Sequence, residues 1–118
     1  MEVTKVVYFV LLLSIIVGEN VEATWCVARS DASYAKMKAG LDYACSHGAD
    51  CGPIAPGGSC FNPNTIQHHA SYAFDSYYQK HGKAPSSCDF DGAGTIAVTD
   101  PSFGSCKYPP YSVLQHFS

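Results

Sequence analysis

The sequence predicts a small α+β domain stapled by disulfides, and three observations carry that expectation. Six cysteines, Cys26, Cys45, Cys51, Cys60, Cys88 and Cys106, follow a leader with the look of an export signal. An even number in a secreted chain of this length argues for three bridges. Two stretches repeat apolar side chains at helical spacing, and one short β-branched run bounded by glycines and an Asp-Pro reads as a strand.

The chain opens on MEVTKVVYFVLLLSIIVGENVEATWC. Lys5 precedes an almost wholly apolar run from 6 to 17, and Val21 and Ala23 occupy the small-residue places of a cleavage site. Residues 1–23 therefore read as a secretory signal peptide, since the run falls short of the roughly 20 residues that a spanning helix needs. The 95 residues left over suffice for one domain, 24–108, whose modest core benefits from covalent help.

The first helical pattern begins at Ser30 or Asp31, either able to cap, and runs to a stop near Gly48. Tyr34, Met37, Leu41, Ala44 and Cys45 share one side, with Lys36 and Tyr43 opposite. Gly40 in its middle weakens the helix by about 1 kcal/mol relative to alanine. CGPIAPGGSC, Cys51 to Cys60, is a loop by its Gly and Pro content. The second helix starts around NPNT, with Asn62 or Asn64 as cap and Pro63 in the first turn. Ile66, Ala70, Ala73, Phe74 and Tyr77 share its core face, Tyr78 sits at the edge of that face, and Gly82 ends the pattern. Tyr72 points the other way, with His68 and Asp75. TIAVT, Thr95 to Thr99, is the strand, and Cys88-Asp89-Phe90 is a candidate to pair with it. Residues 109–118 form a short tail that does not match a glycolipid-anchor signal.

Charge narrows the partners. Beyond residue 23 the chain carries six basic and seven acidic residues, with no basic stripe and no acidic run. Neither nucleic acid nor an anionic membrane finds a counterpart on such a surface, and a neutral ligand fits it best. Tyr72 and Tyr43 lie off the apolar helix faces, and exposed flat rings on a neutral surface suit a ligand with flat apolar faces, as sugars have.

The segments TWCVA (24–28), LDYAC (41–45), DC (50–51), GGSCFNPN (57–64), HASYAFDSYYQ (69–79), CDF (88–90) and TDPSFGSC (99–106) come in an order that resembles carbohydrate-binding module family 43, the X-8 domain of plants. The resemblance covers nearly all of residues 24–108. It implies two main helices and a short antiparallel sheet, three bridges, Cys26 with Cys88, Cys45 with Cys51 and Cys60 with Cys106, and the binding of β-1,3-glucan such as callose. Cysteine arithmetic alone leaves fifteen connectivities open. The chain departs from its relatives at Met37-Lys38, at Gly40, at Ser46-His47 where glycine is common, and at Asp75 where asparagine is frequent.

Hydrolysis of a glycosidic bond usually needs two carboxyl groups about 5–9.5 Å apart. No glutamate follows Glu22, and most of the seven aspartates that do have structural uses at hand: Asp31 as a cap, Asp100 in an Asp-Pro turn, Asp89 and Asp91 at a strand end. The expected protein is thus not an enzyme and needs no cofactor. No metal is expected, because no C-x-x-C pair occurs and the adjacent His68 and His69 diverge on a helix. The expected role is non-catalytic binding of cell-wall β-1,3-glucan by a secreted, extracellular monomer without a membrane anchor. Helix phase gives Tyr72, Tyr43, Tyr78 and Phe103 as stacking rings and Asp75, His68 and Asn64 as hydroxyl partners. The alternative is a secreted cysteine-rich defence or inhibitor protein presenting the 51–60 loop.

Overall fold

The computed structural model describes residues 23–110; the expected leader up to Glu22 and the end of the tail, 111–118, lie outside the described residues. Two strands and two α-helices form the frame. These are β1 (Trp25–Ala28), α1 (Tyr34–Ser46), α2 (Ile66–Lys80) and β2 (Gly94–Ala97). Short 3-10 turns occupy Gly52–Ile54, Pro85–Cys88 and Phe90–Gly92. The architecture is α+β, as the sequence predicts. Among the described residues no helix is long and apolar enough to cross a membrane.

The ends of the helices differ from expectation in an instructive way. Ser33 caps α1, its hydroxyl accepting from the Lys36 N–H at 3.1 Å. Ser30 and Asp31 lie ahead of it, and Asp31 is held by Arg29 through two bonds of 2.9 and 3.1 Å. Thr65 caps α2 by accepting from the His68 N–H, so Asn62 and Asn64 are not the cap and Pro63 precedes the helix. In each case the residue immediately before the first turn has the extended backbone that a cap requires.

β1 pairs antiparallel with β2, Trp25 opposite Ala97 and Ala28 opposite Gly94. The expected pairing of Cys88-Asp89-Phe90 with the second strand does not form; those residues lie in the 3-10 turns leading into it. β2 ends at Ala97 rather than continuing to Thr99.

Helix α2 is the centre of the molecule. Every residue from Ala70 to Ser76 is buried, as is Tyr78, although Ser71, Asp75 and Ser76 are polar. The backbone of β1 explains them. Arg29 N–H donates to Ala93 on the β2 side, so the alternating N–H groups of Cys26 and Ala28 point away from β2. They find side chains of α2: Asp75 Oδ1 accepts from Cys26 N–H at 2.9 Å, and Ser71 Oγ accepts from Ala28 N–H at 3.0 Å. The match is geometric. Four residues of helix advance about 6 Å and two residues of strand advance about 6.6 Å. Ser76 serves the Asp50 N–H in the same way at 2.8 Å.

Two apolar clusters flank this helix. Trp25, Ala44, Ile54, Tyr72, Ala73 and Tyr108 pack around Cys60 and Cys106. Ala28, Met37, Ala70, Phe74, Tyr78 and Ala93 pack around Cys26 and Cys88. The bridges are Cys26–Cys88, Cys45–Cys51 and Cys60–Cys106, the pairing that the resemblance implies. They close sequence separations of 62, 6 and 46 residues; chain-entropy reasoning assigns about 4, 2 and 4 kcal/mol to them.

Gly40 has a reason that helix propensity hides. A Cβ there would lie 2.7 Å from the Phe74 ring and 3.3 Å from Phe90 Cβ. The missing side chain lets the Phe74 ring lie directly against α1. Tyr34, expected on the apolar side of α1, is 64% exposed, because the first turn of the helix projects past the core.

Candidate functional site

Of the described surface, one groove of about 470 Å³ combines rings with polar groups. Lys36, Ala39, Gly40 and Tyr43 of α1 form one wall, Tyr77 of α2 the other, and Ser86, Ser87, Phe90 and Asp91 close it. Tyr43 is 48% exposed. It meets Tyr77 edge to face, with centroids 5.8 Å apart.

Each of these tyrosines has a histidine one turn further on. His47 stacks on Tyr43 at 3.9 Å and His81 on Tyr77 at 3.8 Å. Each imidazole Nδ1 donates to the backbone carbonyl of its tyrosine, at 2.8 and 2.7 Å, which fixes the ring over the tyrosine and leaves Nε2 as the acceptor. The outcome is a row of four rings, His47, Tyr43, Tyr77 and His81, spanning the ends of both helices. A hydrogen bond to Tyr43 holds the Tyr77 hydroxyl above the usual phenol range, with partial burial next in importance.

Phe90 joins this row to the core. Its ring lies flat on the buried Phe74 at 4.0 Å and edge-on to Tyr77 at 5.5 Å. Phe90, Asp91 and Gly92 carry successive positive φ angles of 47°, 54° and 82°, a run that L-residues rarely adopt. The backbone is held there by Ala93 N–H to Phe90 O and Gly94 N–H to Asp89 O. Gly94 is required at the end of this segment, since a Cβ would lie 2.0 Å from the Cys88 carbonyl oxygen.

The seven expected sugar contacts fall into three groups. Tyr43 lines the groove. Tyr72, Tyr78 and Asp75 are 1%, 3% and 0% exposed, so the expectation that they face a ligand is corrected. β1 and the segment around Cys106 and Tyr108 cover the side of α2 that its pattern presents as polar. Tyr72 sits edge-on to Tyr108 and Tyr78 shares a hydrogen bond of 2.7 Å with Thr24. His68, Phe103 and Asn64 lie toward the start of α2, nine residues and about 13 Å of helix before Tyr77. There His68 packs against the half-exposed Phe103 at 4.9 Å, and Asn64 is exposed in the turn before the helix. Burial, and then the neighbouring His69, hold His68 below the usual imidazole range. His69 Nε2 donates to the Phe61 carbonyl at 2.7 Å, which ties its ring to the loop before the helix.

Sequence reasoning missed Tyr77, assigned to the core, and Phe90, assigned to a strand partner. One signal stood in the sequence: Tyr43 to His47 and Tyr77 to His81 repeat the same four-residue step at the ends of both helices. Among the described residues no three ligating side chains gather as a metal site.

Asp75 is the electrostatic exception of the interior. Its Oδ1 accepts from Cys26 N–H and from Gln79 Nε2, while Oδ2 has no partner among the described residues. Burial pushes its pKa up to about 7 against the pull of those two bonds. Tyr108 is raised as well, by burial first and then by the Asp75 charge.

Comparison with known proteins identifies the scaffold. Plasmodesmata callose-binding protein 2 of Arabidopsis thaliana is 44% identical over 98 residues, 83% of this chain and 50% of its own length. Major pollen allergen Ole e 10 of Olea europaea is 51% identical over 85 residues, 71% of this chain and 69% of its own. Glucan endo-1,3-beta-glucosidase 7 of Arabidopsis thaliana is 45% identical over 92 residues, which are only 18% of that protein. The chain thus spans about half the length of the callose-binding relative and a small part of the glucosidase. The X8 domain family matches residues 24–95, a stretch that takes in β1, both helices, the start of β2 and all the groove residues: this chain belongs to the X8 domain family.

Proposed function

We propose that this protein is a non-catalytic binder of β-1,3-glucan, exported by its leader and working in the cell wall as a monomer. The observation that carries the reading is the open row of rings around Tyr43 and Tyr77 in a chain whose relatives include proteins named for callose binding. Pyranose rings present C–H faces that a phenol or imidazole face covers, while hydroxyls need partners, since a buried unpaired one costs on the order of 1–3 kcal/mol. Ser86, Ser87, Lys36 and Asp91 at the groove supply such partners. Affinity per site is expected in the tens of micromolar, about −6 kcal/mol.

The groove argues against hydrolysis. Asp91 alone among its lining residues bears a carboxyl group, whereas glycoside hydrolysis ordinarily engages a pair. The glucosidase relatives carry most of their length outside the matched region, so their activity does not transfer to this chain.

Affinity electrophoresis through gels containing laminarin or callose, with cellulose as control, tests the reading. Retardation by the β-1,3-glucans is expected, and reducing-sugar release from the same polymers is not. Unretarded migration of the folded protein overturns glucan binding and leaves the inhibitor reading standing.

A further inference from the structure

Beside the aromatic groove lies a second depression of about 340 Å³, and Lys36 lines both. Its other walls are Arg29, Asp31, Ser33 and Gly92. Asp91 lines the first and Gly92 the second, so the left-handed run from Phe90 to Gly92 passes through the junction. Non-glycine residues held at positive φ cluster at ligand clamps, and here two of them, Phe90 and Asp91, line the groove immediately before Gly92 of the second depression. The divider is weak: Lys36 Nζ and Asp91 Oδ2 are 3.9 Å apart with both side chains half or more exposed, and exposed pairs of this kind contribute little.

We propose that the two depressions form one track, in which the second is a polar subsite for a further part of the same glucan chain. This extends the proposed function and rests on it. The chemistry of the subsite differs from that of the groove, because no ring is among its lining residues. Its central feature is the Arg29–Asp31 fork, with Nε to Oδ1 at 2.9 Å and Nη2 to Oδ2 at 3.1 Å. The fork holds a flat guanidinium in place with N–H donors to spare, beside a carboxylate whose oxygens retain lone pairs. Adjacent sugar hydroxyls, each both donor and acceptor, match that pairing. The guanidinium also holds the Asp31 carboxyl below its usual range, which keeps it an acceptor in mildly acidic surroundings. The groove then grips faces of the sugar, and the fork grips edges. A ligand long enough to reach past Lys36 gains the second set of contacts and a shorter one does not.

Titration calorimetry with linear β-1,3-gluco-oligosaccharides from disaccharide to hexasaccharide tests this. Wild type is expected to bind the longest about tenfold tighter than the shortest that binds at all, the effect of one or two hydrogen bonds. The double variant Arg29→Ala, Asp31→Ala, which leaves no unpaired charge behind, should keep the affinity for short oligosaccharides and lose the dependence on length. Thermal unfolding confirms that the variant folds. A double variant with the wild-type length dependence, or a wild type that shows none, overturns the subsite while leaving glucan binding in place. Failure of every oligosaccharide to bind overturns both.

Discussion

Helices α1 and α2 carry tyrosines at similar density, yet α1 leaves both of its own exposed while α2 buries two of three. On α2, Tyr72 and Tyr78 are sealed in the interior. On α1, Tyr43 lies half open against Tyr77 and His47. The difference is the number of neighbours. β1, α1 and the segment before Tyr108 surround α2, whereas α1 packs on α2 and the Phe90 turn along one side and leaves most of its other residues exposed. Exposure of a ring is therefore decided by what else the chain lays over its helix.

The largest test of that contrast is Tyr72→Ala. Truncating a ring this deeply buried should cost about 3–5 kcal/mol, read as a fall in the denaturant midpoint; a loss below about 1 kcal/mol would place Tyr72 outside the core. Gly40→Ala comes next. Helix propensity alone favours alanine by about 1 kcal/mol, but the added carbon meets the immobile Phe74 ring. A net destabilisation of about 1–3 kcal/mol is expected, with weaker retardation on laminarin because the floor of the groove shifts.

Asp75→Asn sharpens the comparison from within α2. Its folded pKa of about 7 exceeds the ordinary 3.8, so the native state holds a proton that the unfolded chain releases between those values. The stability contributed by this group is complete below about pH 4 and is lost as pH rises through 7. Asparagine keeps the Oδ1 acceptor for Cys26 and Gln79 and removes the buried charge. The variant should be about 1–2 kcal/mol more stable than wild type near pH 8. It should also lack the downward slope toward neutrality, retaining only the opposite slope from His68, whose depressed pKa favours the fold as pH rises. Chemical denaturation across pH 4 to 8 decides it, and an unchanged slope would assign the dependence to another group. The smallest effect on stability belongs to Tyr43→Ala, under about 0.5 kcal/mol for an exposed residue. Gel retardation should nevertheless be lost, and retention of full retardation in the folded variant would move the glucan site away from the groove.

Much of the frame was legible. Apolar spacing marks both helices, Gly48 and Gly82 mark their ends, and the order of cysteine segments carries the family and the bridges. What escaped has physical causes. Ser71, Asp75 and Ser76 read as a solvent face because periodicity treats polarity as exposure, whereas these groups replace a strand partner for β1 and its neighbourhood. The four residues of β1 are too short and too mixed to announce themselves. Tyr77 was hidden by its good helical phase: it does sit at the α1–α2 contact, but at the rim, where part of it lines the groove. Gly40 looked like a flaw in α1 and is instead the opening through which Phe74 and Phe90 reach it.

Phe90 has one face on Phe74 and its edge toward Tyr77. A sugar settling on the outer ring thus presses, through a single phenyl group, on the middle of the apolar interior. Saturation with ligand should slow the breathing of the whole domain, and loosening of that interior should be felt first as a loosened grip on the polysaccharide.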